Sequence, residues 1–383
     1  MKKLKIAYLA LGEKINAPIP AFTHTRGICQ ALSKQADLTL FIGSGEKGET
    51  NVEGVKTVIV ETPTLKNLSK IFSFKVKELK KQLNDFDVVQ ERFHVNPLTL
   101  LLGQGNKTFL EVNDPGIEVH KGLKGLVFKP LIKKKFNSVK AIITQTETLK
   151  KIISKHTKTS IFVVSNGVDV NKFNSRISGK SKRKILRISE TETLIVFQGA
   201  FREWHGVQDI PLIAEKLKNE KVKFLLLGNG PLFNEVKEIA KSKNLQDKVL
   251  MPGSIKQDEL PEFLAAADIF IAPFNVSRYP MLEKHGFWWS PMKLFEFLAM
   301  GKPIVSYDFN EVKKIVGNAG ILAENGNLDD FVIKLEKLIK DKKLRISLGL
   351  NAEKKAVNEF SWNKKALETI KVYDKIFKIG EIK

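Results

Sequence analysis

The chain has 383 residues, 43 % of them hydrophobic and 28 % charged, with 25 Gly and 14 Pro. That composition is globular, excludes disordered, collagen-like and disulfide-scaffold classes, and at ~150 residues per domain predicts two or three domains. A single cysteine, Cys29, excludes an intramolecular disulfide and fits a reducing compartment, while 64 Lys+Arg against 42 Asp+Glu leave a net charge of +22 that points to a polyanionic partner.

The opening apolar run at 6–12 is followed by no small-residue cleavage pattern and reads as a buried strand rather than a signal segment. No apolar stretch approaches the ~20 residues of a spanning helix. Short apolar, β-branched runs then recur at 38–42, 55–60, 87–90, 108–112, 141–144 and 161–164, and again at 194–197, 223–227, 248–251, 268–272 and 303–306. Between many of them lie amphipathic segments such as 209–220, 232–243 and 259–267, and the chain ends in a helical stretch over 351–379. Strands alternating with helices predict an α/β fold of two doubly wound parallel sheets, whose ligands sit at the carboxyl ends of the strands. The Gly-, Ser- and Lys-rich stretch 174–184 reads as a linker or exposed connection between them. Charge divides there too: residues 1–190 carry 34 basic and 16 acidic side chains, net +18, whereas residues 191–383 carry 30 and 26, net +4.

P-loop, zincin, nucleophile-elbow and Cys-x-x-Cys patterns are absent. Asp85-Phe-Asp87 has the form of a metal–diphosphate chelator, but turn-forming aspartates before a strand are ordinary. The richest segment is 290–305. Ser290 suits an N-cap, Pro291 the first helical position and Gly301 the stop, so a helix over 291–300 is predicted, its free amides suited to a diphosphate. Glu296 is the only acid in that helix and stands among Leu294, Phe295, Phe297 and Leu298. Its carboxylate accepts from ribose hydroxyls, lies on a solvated stripe, or pairs with a nearby Lys such as Lys293. Gln198 to Gly206, directly after a strand, offers a glycine turn with Arg202 and His205, which either hold phosphate or are incidental to the turn. Gly228 opens a second strand-end turn.

Taken in order, Asn166-Gly-Val-Asp-Val-Asn-Lys-Phe173, Gly199 to His205-Gly206, Leu227-Gly-Asn-Gly-Pro231, Pro252-Gly-Ser, Ala267-Asp-Ile and Phe295-Glu-Phe-Leu-Ala-Met-Gly-Lys-Pro-Ile-Val305 resemble the glycosyltransferase family 4 type of GT-B enzyme. The resemblance covers the chain. It implies two Rossmann-like domains facing a cleft, here 1–174 on the acceptor side and 175–360 on the donor side, with 361–383 a closing helix on the first domain. It also implies retaining transfer from a nucleotide-diphosphate sugar with no metal and no cofactor beyond that co-substrate. Glu296 then binds ribose; Ser290, Pro291, Lys293 and Leu294, with Gly199, Arg202, His205 and Gly228, line the donor; Gly12 lies in a loop against the phosphates. His24 begins the first helix, where packing and ligand contact are equal readings.

Three positions depart from the family pattern. Trp288 stands where a glutamate is usual, with Glu283 or His285 as replacements; Ala200 and His205 stand where an arginine and a lysine flank the diphosphate, with Arg202, a pH-dependent His205 and Lys293 supplying charge; and Asn113-Asp114 replaces a His-Asp pair. Asn113, Glu91 and His120 are the first-domain catalytic candidates. Rival readings are a donor-binding protein without transfer, a sugar-nucleotide epimerase, and a basic nucleic-acid binder, the last disfavoured because no recognition module appears. Two basic, apolar segments, 70–83 and 122–136, suit either an anionic membrane surface or ordinary packing on a sheet. The expected setting is cytoplasmic, peripheral on the inner membrane face, with a lipid-linked or envelope glycan as acceptor.

Overall fold

A computed structural model describes residues 3–381, apart from 18–19, 46–47, 61–67, 95–97 and 120–121. The chain forms two compact units. One comprises Met1–Gly167, Trp288–Ser290 and Trp362–Lys383; the other comprises Val168–Phe287 and Pro291–Ser361.

The first unit is built on strands β1 (Lys5–Lys14), β2 (Asp37–Gly43), β3 (Lys56–Ile59), β4 (Val88–Arg92), β5 (Thr108–Val112), β6 (Ala141–Thr144) and β7 (Ile161–Val163). They pair in parallel in the order β3-β2-β1-β4-β5-β6-β7. Both faces of the central strands are covered, so Ile6 to Ala10 are buried without alternation. The strand order reverses between β1 and β4, which places this unit's switch point at their carboxyl ends. β1 runs on to Lys14 through an irregularity after Ala10, two residues beyond the apolar run that announces it.

The face of this sheet near those ends carries a buried polar network. Glu111 accepts from Tyr8 Oη (2.8 Å), Gln90 Nε2 (2.7 Å) and Arg92 Nη1 (3.0 Å), and its Oε1 lies 2.7 Å from His24 Nε2. Arg92 Nε reaches Glu13 at 2.6 Å, and Thr25 Oγ1 donates to the same carboxylate at 2.7 Å. His24 Nδ1 meets Asn166 Oδ1 at 2.7 Å and its ring stands edge-on to Trp362, so the packing reading of His24 is the one the structure supports. The Pro20–Leu32 and Trp362–Glu381 helices pack together over this network. Gly27 is needed there, because a Cβ would fall 2.3 Å from the Trp362 indole nitrogen. Tyr373, further along the second helix, stacks edge-on against Phe109 and donates its hydroxyl to Gln90.

The second unit repeats the scheme with β8 (Thr193–Gln198), β9 (Val222–Leu227), β10 (Val249–Gly253), β11 (Ile269–Ala272), β12 (Ile304–Tyr307) and β13 (Gly320–Ala323). The parallel order is β10-β9-β8-β11-β12-β13, with the reversal between β8 and β11. The α/β, doubly wound class read from the sequence is therefore the observed one. Three local expectations are corrected. β13 has only three apolar residues after a glycine, too short a run to announce itself. The 174–184 stretch is no free linker: Lys180–Ile185 is helical, and Arg183 reaches Asp268 (2.9 Å) and the carbonyls of Ala266, Ser189 and Glu192. The terminal helical stretch is two helices, Lys342–Lys355 and Trp362–Glu381, separated by a π-turn and an extended Ser361. Among the described residues no helix is long and apolar enough to cross a membrane.

Burial pushes the Glu111 carboxyl up, but His24 and Arg92 beside it outweigh that and hold it well below the usual carboxylate range. A depressed carboxylate stabilises the fold fully above the unfolded-state value, ~4.3, and loses that contribution only as pH falls below it. Glu111→Ala leaves the Arg92 charge buried without its carboxylate. The expected cost is about 3–5 kcal/mol, read as a fall in urea midpoint at pH 7. An unchanged midpoint would show that the network contributes nothing.

Candidate functional site

In the second unit the chain leaves β8 at Gly199, whose φ of +149° suits glycine. The reason is spatial as well: a Cβ at Gly199 would lie 2.4 Å from Lys293 Nζ. Gly228, leaving β9, closes against the same turn, where a Cβ would meet the Gly199 carbonyl at 1.9 Å. The strand-end glycines thus bring three backbone segments together at the β8/β11 switch point. Arg202 on this turn is exposed and lies over Trp204 at 5.5 Å.

His205 does not supply the pH-dependent cation expected of it. Burial, followed by the nearby Lys293 charge, lowers its pKa to about 3, and its Nδ1 sits 2.7 Å from the Ala200 carbonyl. It is a neutral ring holding the turn closed.

The predicted 291–300 helix is observed as Met292–Ala299. Its cap differs from the expectation: Pro291 is the N-cap, in extended conformation, and the Ser290 side chain does not cap it. Ser290 belongs to the first unit, where its Oγ accepts from the Asn166 amide (3.1 Å) and its carbonyl from Asn166 Nδ2 (2.6 Å). Leu294 is fully buried and its amide is taken by the Pro291 carbonyl at 3.1 Å, so its part is helix packing.

Lys293 and Glu296 lie one turn apart on this helix, each only 7 % exposed. The solvated-stripe reading of Glu296 is thereby overturned. Lys293 Nζ rests over the rings of Phe197 (4.5 Å) and Phe274 (5.4 Å), which follow from β8 and β11. Neither Lys293 Nζ nor Glu296 Oε2 has a hydrogen-bond partner among the described residues. Burial pushes the amine down to about 7, against the pull of Glu296. Burial likewise pushes the carboxyl up to about 7, opposed by Lys172 and then Lys293. Two buried polar ends with no protein partner, at a switch point, form a site waiting for polar groups of a ligand. The apolar neighbours in the sequence face elsewhere: Phe297 stacks on Phe270 (4.1 Å) and Phe295 packs at a tilt against Phe360 (4.9 Å).

The remaining candidates are not gathered here. Glu283 is exposed, and Trp288 lies in the first unit, with its carbonyl accepting from Thr146 Oγ1 at 2.7 Å. In the first unit Gly12 is inside β1 rather than a loop, and the space a Cβ would take is filled by the His94 ring, 1.8 Å from Nε2. Glu91 is buried against Lys135 (2.8 Å), which also donates to the His94 carbonyl (2.9 Å). With its amide turned to satisfy its neighbours, Asn113 donates to Glu111 (3.2 Å) and accepts from Arg92 (2.8 Å). Both groups are thus held by the fold. His120 lies outside the described residues. His94, which sequence reasoning missed, stands just past β4 at the first unit's switch point. Burial and then Lys135 lower its pKa, keeping it neutral at pH 7. Its only advance signal was its place after a strand end. Asp87 accepts from the Lys5 amide (2.9 Å) at the opposite, amino end of the sheet, and no cluster of three metal-ligating side chains occurs among the described residues.

Residues 179–355, most of the second unit, match the family described as glycosyl transferases group 1. The chain is 28 % identical to N-acetyl-alpha-D-glucosaminyl L-malate synthase of Bacillus anthracis over 46 % of its own length and 44 % of that protein's, so it spans less than half of this relative. It is 26 % identical to the N,N'-diacetylbacillosaminyl-diphospho-undecaprenol alpha-1,3-N-acetylgalactosaminyltransferase of Campylobacter jejuni, over 82 % and 79 %. Among solved structures, Anabaena HepE in complex with UDP-glucose superposes with a TM-score of 0.71 at 16 % identity, covering 96 % of this chain and all of that one. The segment that matches the group 1 glycosyl transferases carries Gly199, Lys293 and Glu296, and the likeness to the solved structure is one of fold, two Rossmann-like units.

Proposed function

We propose that the chain is a retaining transferase that moves a sugar from a nucleoside-diphosphate sugar to a lipid-linked or envelope glycan. The observation that carries the donor half is the buried, unpartnered pair Lys293 and Glu296 beside the Gly199 turn. An ammonium held between two aromatic rings is preorganised for the leaving diphosphate, whose charge grows as the sugar departs. Arg202, exposed on the same turn, adds a second cation. Glu296 accepts from vicinal ribose hydroxyls, which offset the cost of its burial. The HepE complex holds UDP-glucose, and the Campylobacter relative is named for an undecaprenol-linked acceptor; both support the reading. The protein cations take the place of a metal, and activity is expected to persist in EDTA.

For the acceptor half, the two basic segments are no longer equivalent. In 70–83, Leu79 and Leu83 are buried in the core of the first unit, with Lys77, Lys80 and Lys81 exposed, which is sheet packing. In the Gly122–Asn137 helix, Leu126 is 73 % exposed and Lys133 and Lys134 face solvent. An exposed apolar side chain on a basic helix suits an anionic lipid surface where a lipid-linked acceptor is found. We therefore assign peripheral membrane contact to that helix.

A thermal-shift panel of UDP-, GDP-, ADP- and CMP-sugars is expected to single out one donor class. With that donor, Glu296→Ala raises KM about 10- to 100-fold, the worth of a hydrogen bond to a charged group, and Arg202→Ala mainly lowers kcat. Unchanged KM and kcat in both variants would remove the donor-site assignment. Vesicle flotation tests the second half: the protein is expected to float with anionic but not zwitterionic vesicles, less so in high salt or as Leu126→Asp. Equal flotation of that variant would end the membrane assignment.

A further inference from the structure

Lys293 and Glu296 present a problem that donor binding must solve. A charged amine and a charged carboxylate, each buried with no hydrogen-bond partner at its terminal atom, are both costly, and a buried ion without a partner discharges by gaining or losing a proton. No ion pair within 4 Å joins them. Yet a diphosphate is best met by an ammonium, and ribose hydroxyls by a carboxylate.

We propose that Lys293 and Glu296 hold about one proton between them in the donor-free protein, and that donor binding places it on Lys293. This rests on the donor-site reading above and adds a proton-coupled step to it. The balance is simple: the Glu296 carboxyl loses a proton, the Lys293 amine gains one, and bulk water carries the difference. The pair's surroundings leave the coupling to these two groups. His205, on the turn against Lys293, is already neutral down to about pH 3. Arg202 on that turn is cationic throughout. Lys172 faces Glu296 and favours its charged form, and lies over Phe173 at 5.8 Å.

With both groups titrating at about 7, the signs follow. Below that pH Glu296 carries a proton that binding must expel; above it Lys293 has lost one that binding must restore. Donor affinity is therefore greatest near pH 7 and falls on both sides, approaching tenfold per pH unit. Net exchange is proton release on the acid side of that pH and proton uptake on the alkaline side.

Calorimetric titration in two buffers of different protonation enthalpy, at pH 6, 7 and 8, reads this directly. The probe is UDP-glucose, or whichever nucleotide sugar of the panel stabilises the protein most. Its diphosphate is a diester and lacks the ionisation near 6 that a free terminal phosphate would contribute. Glu296→Gln is expected to abolish release at pH 6 while keeping uptake at pH 8. Lys293→Met is expected to do the reverse, and where its binding is too weak to measure, the wild-type and Glu296→Gln counts decide. Binding that is independent of pH from 6 to 8, with no proton exchanged, would overturn the inference and leave the donor site standing. Failure of every nucleotide sugar to bind would remove the donor site and the inference with it.

Discussion

A single buried carboxylate organises the first unit. Glu111 lies in the middle of a parallel sheet and draws donors from β1, β4 and the first helix, namely Tyr8, Gln90, Arg92 and His24. Its charge is affordable only because those donors are already in place, so strand order, helix position and side-chain choice are mutually required. The network extends through Arg92 to Glu13 and through His24 to Asn166, which in turn holds Ser290. One electrostatic centre therefore ties together residues from six separate stretches of the first unit.

The second unit handles charge in the opposite way. Lys293 and Glu296 are buried without the partners that Glu111 enjoys, and the cost appears as two pKa values drawn together near neutrality. Two buried polar ends without partners are destabilising alone, which is the ground for the proposed donor site. Gly199 makes the arrangement possible, since any side chain there would displace the amine. The family's usual cations at Ala200 and His205 are absent, and a lysine from a different element reaches the same turn.

Much of this was legible in advance. Apolar, β-branched runs announced twelve of the thirteen strands, and only the short β13 escaped. Glycines at strand ends marked the turns at Gly199 and Gly228, and Glu296 stood out as an acid among aromatics. The +22 charge, divided by domain, directed attention to the first unit. Errors arose where a residue's partner is far away in the chain. His205 reads as a pH-dependent cation because it stands where the family pattern has a lysine, whereas burial and then Lys293 keep it neutral. The sequence marks Asn113 and Glu91 as first-domain candidates through the resemblance, and it does not show that Arg92 and Lys135 engage them. The stretch 174–184 was read as a linker because its composition is basic, whereas Arg183 binds Asp268 and three carbonyls.

The sequence by itself determined the element types, their alternation, the doubly wound class and the motif order that marks a group 1 glycosyl transferase. Those properties follow from local periodicity and from glycine placement, both written along the chain. Only the tertiary structure decided which ionisable groups are charged and which are satisfied. Protonation depends on desolvation and on neighbours such as Phe197 and Phe274 around Lys293, which approach one another only when β8, β11 and the Met292–Ala299 helix pack together. The net positive charge seen at the outset lies mostly in residues 1–190, while the lysine and glutamate of the proposed donor site stand out only through their burial.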